Sequence, residues 1–191
     1  ALALAYFVVD ALRSEFFGSL QYFTYTGSLV SAALLALVAG KRIGEQHLVL
    51  AVSIGTVIHV VYIVLLVGLD GVADDLRSGG LENLVLHYVA PYYLLLDLVV
   101  LSNERRYRYR DTLLYLLVPV LYLGYVLVHG EATGEYPYFF LDVPELGATV
   151  AIYVAPIATF FMTLNLAFVA IKRRMHRIAV ESAPAVRNSR D

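Results

Sequence analysis

Two side chains able to do chemistry stand near the heads of two long apolar runs. Thr24 lies in LQYFTYTGSLVSAALLALVAG (residues 20–40) and His87 in ENLVLHYVAPYYLLLDLVVL (residues 82–101). A threonine hydroxyl is inert until a base accepts its proton, and imidazole is the side chain best suited to do so near neutral pH. If both runs enter a membrane from the same side, Thr24 is four residues past Leu20, ~6 Å along its helix, and His87 is five past Glu82, ~7–8 Å. That shared depth permits a nucleophile–base pair. Gln21, Thr24, Ser28 and Ser31 are spaced three, four and three, which sets them on one helical face. Helix packing accounts for Gly27, Ser28 and Ser31, because small and hydroxylated residues line helix contacts, but it leaves Thr24 open. His87 has Asn83 one turn before it and Pro91 four residues after it. Ionisable groups in membrane spans usually face the bundle interior or a cavity, and a purely structural hydrogen bond is the competing reading for this one.

Other candidates are weaker. His59 lies nine residues before Gly68, ~14 Å below the outer end of its run, on a polar stripe with Ser53, Thr56 and Tyr62. A structural role, or support for a catalytic neighbour, fits it best. Using His59 and His87 as haem ligands would need the two at one depth, and they differ by ~6 Å. No cofactor and no metal is expected. His129 closes a run below a tyrosine stripe of Tyr115, Tyr122 and Tyr125. Asp97 and Asn165 are expected to make helix-to-helix hydrogen bonds, and His47 and His176 to be solvated at the inner edge. The loop GEATGEYPYFFLDVPELG (residues 130–147) is read either as an aromatic collar or as a lid over an outer cavity. Within it Tyr136 is a candidate contact and Asp142 is able to orient a histidine.

The elements that must position these groups follow from composition. The chain has 191 residues, of which 60% are hydrophobic and 16% charged, with a mean hydropathy of +0.71. A soluble domain of this size has too little interior to hide so much apolar surface. The apolar residues also come in long runs rather than stripes, so an all-α integral membrane bundle is expected. Net charge −2 and pI near 6.2 argue against a nucleic-acid partner. The absence of cysteine excludes disulfides, thiolate zinc sites and cysteine nucleophiles. Five runs are long enough, or nearly so, to cross: 20–40, 46–68, 82–101, 112–129 and 147–171. A shorter one, ALALAYFVVDAL, is read as the outer part of a truncated first span, which makes six. Lys41 and Arg42, then Arg105, Arg106, Arg108 and Arg110, then Lys172, Arg173, Arg174 and Arg177 fall in alternate connections. The remaining loops carry only Arg13 and Arg77 and are otherwise acidic. This positive-inside pattern puts both termini in the cytoplasm. Residues 1–174 form one transmembrane domain, and 175–191 a polar tail expected to be disordered. ERRYRYRD reads as an anchor to anionic lipid at the inner surface.

Three stretches in order, YFTYTGSLV (22–30), LVLHYVAPYY (84–93) and RDTLLYLLVPVLYLGYVLVHGEATGEYPYFFLDV (110–143), resemble the androgen-induced-gene family of multi-pass membrane proteins and its prokaryotic relatives. Animal members of that family include hydrolases of fatty-acid esters of hydroxy fatty acids, with a threonine nucleophile and a histidine base. The resemblance carries the nucleophile onto Thr24 and the base onto His87, and matches TGEYPYFFLD to the loop before the last span. Thr26, Gly27 and Ser28 stand where prokaryotic relatives often have a Gln-Ser-Asn run, so the contacts beside the threonine differ. The expected function is a lipid ester hydrolase in a prokaryotic cell membrane, acting on a fatty-acyl ester that reaches Thr24 and His87 from the outer leaflet. Ser28, His59, Asn83, His129, Tyr136 and Asp142 are the candidate supporting or substrate contacts. The alternative is a non-catalytic binder or transporter of a lipid or small apolar molecule, in which the same pair hydrogen-bonds the ligand. Membrane lipids are the expected partners, and the oligomeric state is left open.

Overall fold

The structure, a computed structural model, describes residues 20–100 and 107–181. The opening run, Arg105, Arg106 and the end of the tail lie outside those residues. What is described is all-helical, and four stretches are long and apolar enough to cross a membrane: Glu45–Val67, Gly80–Val100, Asp111–Thr133 and Val143–Ile178. The protein is a membrane protein.

Helix α1 (Phe23–Ala39) begins where the chain leaves an extended Tyr22 and ends as the Gly40 N–H closes on the Ala36 carbonyl. Its 17 residues are fewer than the run 20–40 promised. Helix α2 (Leu48–Val61) follows a tight turn at Glu45–His47 and runs on in a wider π register through Tyr62–Val67, stopping at Gly68. A short α3 (Val72–Ser78) lies in the connection that follows. Helix α4 (Gly80–Val100) is regular over Gly80–Leu84 and Ala90–Val100, and widens to π geometry over Val85–Val89. Helix α5 (Asp111–Thr133) breaks at Leu116. The break has a local cause: Pro119 has no N–H to donate to the Tyr115 carbonyl four residues back. After three short turns, helix α6 (Val150–Glu181) continues ten residues past 171, so that 175–181, expected in the polar tail, are its last turns.

The core is built around α2, whose residues from Leu48 to Gly55 are all buried, and α1, α4 and α6 pack on it. Two glycines let the neighbours come close. A methyl group on Gly27 would lie 2.7 Å from the Ile54 side chain, and one on Gly55 would lie 2.9 Å from Leu94 and 3.3 Å from the Pro91 backbone. Because His87 is one turn from Pro91, the Gly55 contact sets how near the histidine comes to α2. A second cluster of Val126, Phe140 and Leu141, with Tyr122 and Tyr153 against it, folds the 130–147 loop back onto α5 and α6. At the opposite end the Lys172 ammonium donates to the Leu98 carbonyl at 2.8 Å, joining α6 to α4. Asn165 is buried, but its amide donates to Phe161 within its own helix at 2.8 Å rather than across to a neighbour. His47, expected to be solvated, is half-buried with its ring 5.9 Å from that of Tyr115.

Candidate active site

Thr24 is the second residue of α1, and His87 sits in the π turn of α4. Thr24 Oγ1 and His87 Nε2 are 3.1 Å apart. The Tyr25 hydroxyl beside them donates to Glu82 at 2.8 Å, so the first turn of α1 is joined to the head of α4 at two adjacent residues. For Thr24 to donate, His87 must be neutral with its proton on Nδ1. That nitrogen is buried, with the Asn83 backbone one turn back as its neighbour.

The imidazole is also held by one face and by its backbone. The Tyr62 ring stacks on it with 3.7 Å between centroids and 17° between planes. Tyr62 is itself anchored, its hydroxyl donating to Asp75 Oδ1 at 2.8 Å. The other carboxylate oxygen accepts from Asn83 at 3.0 Å and Tyr88 at 2.8 Å. Burial alone would raise the Asp75 carboxyl, but the donors from Tyr62, Tyr88 and Asn83 outweigh it and hold the group below the usual carboxylate range. Asp75 thus ties α3 to the end of α2 and the start of α4.

His59 supports the backbone under His87. Residue 91 is proline, so the His87 carbonyl loses the donor it would ordinarily find four residues on. His59 Nδ1–H fills that place at 2.6 Å, and its Nε2 accepts from the Tyr92 hydroxyl at 3.2 Å. Both ring nitrogens of His59 are therefore occupied in holding α4.

Thr24 opens onto a cavity of about 140 Å³. Its wall is apolar apart from four hydroxyl-bearing residues, Thr24, Tyr62, Tyr122 and Tyr138. The folded-back loop supplies Tyr138, Phe140 and Leu141 to that wall. The Tyr138 ring stacks on Phe140 at 5.1 Å and 6°. Its hydroxyl oxygen accepts the Phe23 N–H at 2.9 Å, at the start of α1. Burial holds this phenol above its usual range. Tyr122 donates to the Gln21 carbonyl at 2.6 Å, closing the same corner.

The remaining candidates lie elsewhere. Ser28 is buried one turn below Thr24 and does not line the cavity. Asn83 reaches Asp75, not Thr24. His129 stands in a tilted contact with Tyr125, within 3.5 Å of the Thr133 hydroxyl, and is not in the cavity wall. Tyr136 lays its ring over Gly130, where a Cβ would collide with it. Asp142, expected to orient a histidine, accepts the Glu145 N–H at 3.1 Å instead, because it caps the Val143–Leu146 turn. Two residues of consequence were not singled out by sequence. Asp75 is one of several loop acids, and only the folding of α3 distinguishes it. Tyr138 is one of four aromatics in a short loop, and nothing in the chain's pattern says which one turns inward. Comparisons with protein-family models, with curated proteins and with solved structures return no match, so the reading of this site rests on its geometry.

Proposed function

We propose that this protein is a membrane-embedded lipid ester hydrolase with Thr24 as nucleophile and His87 as general base, a distant member of the androgen-induced-gene family. The observation that carries the reading is the 3.1 Å contact between the Thr24 hydroxyl and His87 Nε2, with Thr24 in the wall of an apolar cavity. The hydroxyl is within reach of a base, and the apolar wall suits an acyl chain. In the proposed reaction Thr24 Oγ1 attacks the ester carbonyl while its proton passes to Nε2. The tetrahedral intermediate collapses, the alcohol leaves with the proton from His87, and an acyl-threonine remains. Water then attacks that ester, with His87 again taking a proton, to release the fatty acid and restore Thr24. The membrane setting belongs to the same proposal. The apolar runs support six spans, the alternation of Lys and Arg supports cytoplasmic termini and a pair in the outer leaflet, and the resemblance supports a prokaryotic cell membrane.

The test is hydrolysis of a fluorogenic long-chain ester by purified protein. Thr24→Ala and His87→Ala should each lower turnover by ~10³-fold or more, and the double substitution should be little worse, because the two act as one unit. Thr24→Ser should keep part of the rate, since the hydroxyl survives while the methyl that limits its rotamers is lost. A wild-type protein that binds the ester without turning it over, with modest independent affinity losses in the variants, would mark a binder or transporter instead.

A further inference from the structure

We infer that Tyr138 is the oxyanion donor of this site, its phenolic O–H hydrogen-bonding the substrate carbonyl oxygen as negative charge builds there. The inference rests on the hydrolase reading of Thr24 and His87. Attack by Thr24 Oγ1 forms the C–O bond and moves the carbonyl π pair onto oxygen, while the threonine proton goes to His87. A donor ~2.7–3.1 Å from the new oxyanion is then required. It has to line the cavity beside Thr24, and it has to have a proton to give.

Three other hydroxyl-bearing residues meet Thr24 in the cavity wall, namely Tyr62, Tyr122 and Tyr138. Tyr62 gives its proton to Asp75 at 2.8 Å, and Tyr122 gives its own to the Gln21 carbonyl at 2.6 Å. Tyr138 differs in kind. Its oxygen accepts the Phe23 N–H at 2.9 Å, and its hydroxyl also meets those of Thr24 and Tyr122. Their own protons go to His87 and the Gln21 carbonyl, so the Tyr138 proton rests among hydroxyl oxygens that a substrate carbonyl can replace. A hydroxyl that accepts through its oxygen keeps its proton to donate, and the bond it accepts strengthens the one it gives. Because burial holds the phenol above its usual range, that proton stays in place at neutral pH. The start of α1, where Tyr22 provides no side-chain cap, adds a positive dipole end at the same spot. The loop containing Tyr138 thus closes one side of the cavity and completes the chemistry within it.

The experiment uses Tyr138→Phe in the full chain, which keeps the ring on Phe140 and removes only the hydroxyl. Wild type, Tyr138→Phe and Thr24→Ala are compared in ester turnover and in inhibition by a long-chain alkyl trifluoromethyl ketone. Thr24 adds to that ketone to give a tetrahedral oxyanion visible by fluorine NMR. Tyr138→Phe should lower kcat and weaken ketone binding by ~10²-fold each, while affinity for an unreactive long-chain alcohol stays within about twofold. Equal kcat and equal ketone affinity in wild type and Tyr138→Phe would overturn the inference. So would a loss for the alcohol as large as for the ketone, since Tyr138 would then only shape the cavity. If wild type turns over ester, Thr24→Ala does not, and Tyr138→Phe matches wild type, this inference alone falls. If wild type neither hydrolyses the ester nor forms the adduct, it falls together with the hydrolase reading. Should Tyr138→Phe fail to fold, trifluorotyrosine at position 138 keeps the hydroxyl and makes it a stronger donor. Tighter ketone binding then supports the inference, and unchanged binding overturns it.

Discussion

At the scale of single residues the site is defined by what surrounds His87 more than by His87 itself. One nitrogen faces Thr24, while the ring is kept in plane by Tyr62. Tyr62 is in turn held by a carboxylate that also gathers Asn83 and Tyr88. The sign of the Asp75 shift sets a pH prediction. Its carboxyl in the folded protein lies below the ordinary 3.8, so the charged form is the one the fold favours. The stabilisation is complete above the unfolded value and is lost as pH falls through 3.8 towards the lowered folded value. Thermal unfolding of wild type between pH 7 and pH 3 should therefore show a drop in Tm confined to the acid end. Asp75→Asn should start lower at pH 7 and show less of that drop. A variant with the same profile as wild type would mean that Asp75 does not hold Tyr62. Thr24 and His87 were legible in the chain because each is a polar group at matched depth in an apolar run. Asp75 and Tyr138 were not, because their roles depend on which of several equivalent loop residues the fold turns inward.

At the scale of elements, a proline and a histidine on different helices solve one problem. Pro91 withholds a donor from the His87 carbonyl, and His59 supplies it from α2 at 2.6 Å. That coupling makes a double-substitution test. His59→Ala should destabilise by about 1–3 kcal/mol by leaving a buried carbonyl unpaired, as measured by denaturant unfolding in detergent. Adding Pro91→Ala restores an N–H four residues on, so the double variant should recover much of that loss, a non-additivity expected only of residues sharing one partner. Additive losses would show that His59 does not serve that carbonyl. Pro91 by itself signals that His87 needs another donor. What the sequence does not reveal is that the donor comes from residue 59, since no spacing rule links two positions 28 residues apart on separate helices. The break at Leu116 was signalled more directly, since Pro119 lies three residues on. The ends of α1 and α6 were read less well, because apolar composition does not say where hydrogen bonding starts or stops.

At the scale of the whole molecule, helical class and the positions of four crossing stretches were legible because a bilayer demands long uninterrupted apolar runs. How the 130–147 loop folds was not, because both of its readings use the same aromatics. Sidedness is open to a direct test. The chain has no cysteine, so a single Glu135→Cys in that exposed loop gives a background-free label. An impermeant maleimide should react with it from outside intact cells, and reaction only after the inner face is opened would reverse the proposed topology. The central claim is covalent chemistry at Thr24, and the most direct test of it is the mass of the whole protein during turnover. Purified protein mixed with a long-chain ester and quenched within the first turnovers should gain the mass of one acyl group. Fragmentation should place that group on Thr24, and Thr24→Ala should gain nothing. Under conditions where wild type releases fatty acid, an unmodified mass throughout, or an adduct that persists in Thr24→Ala, would contradict the account.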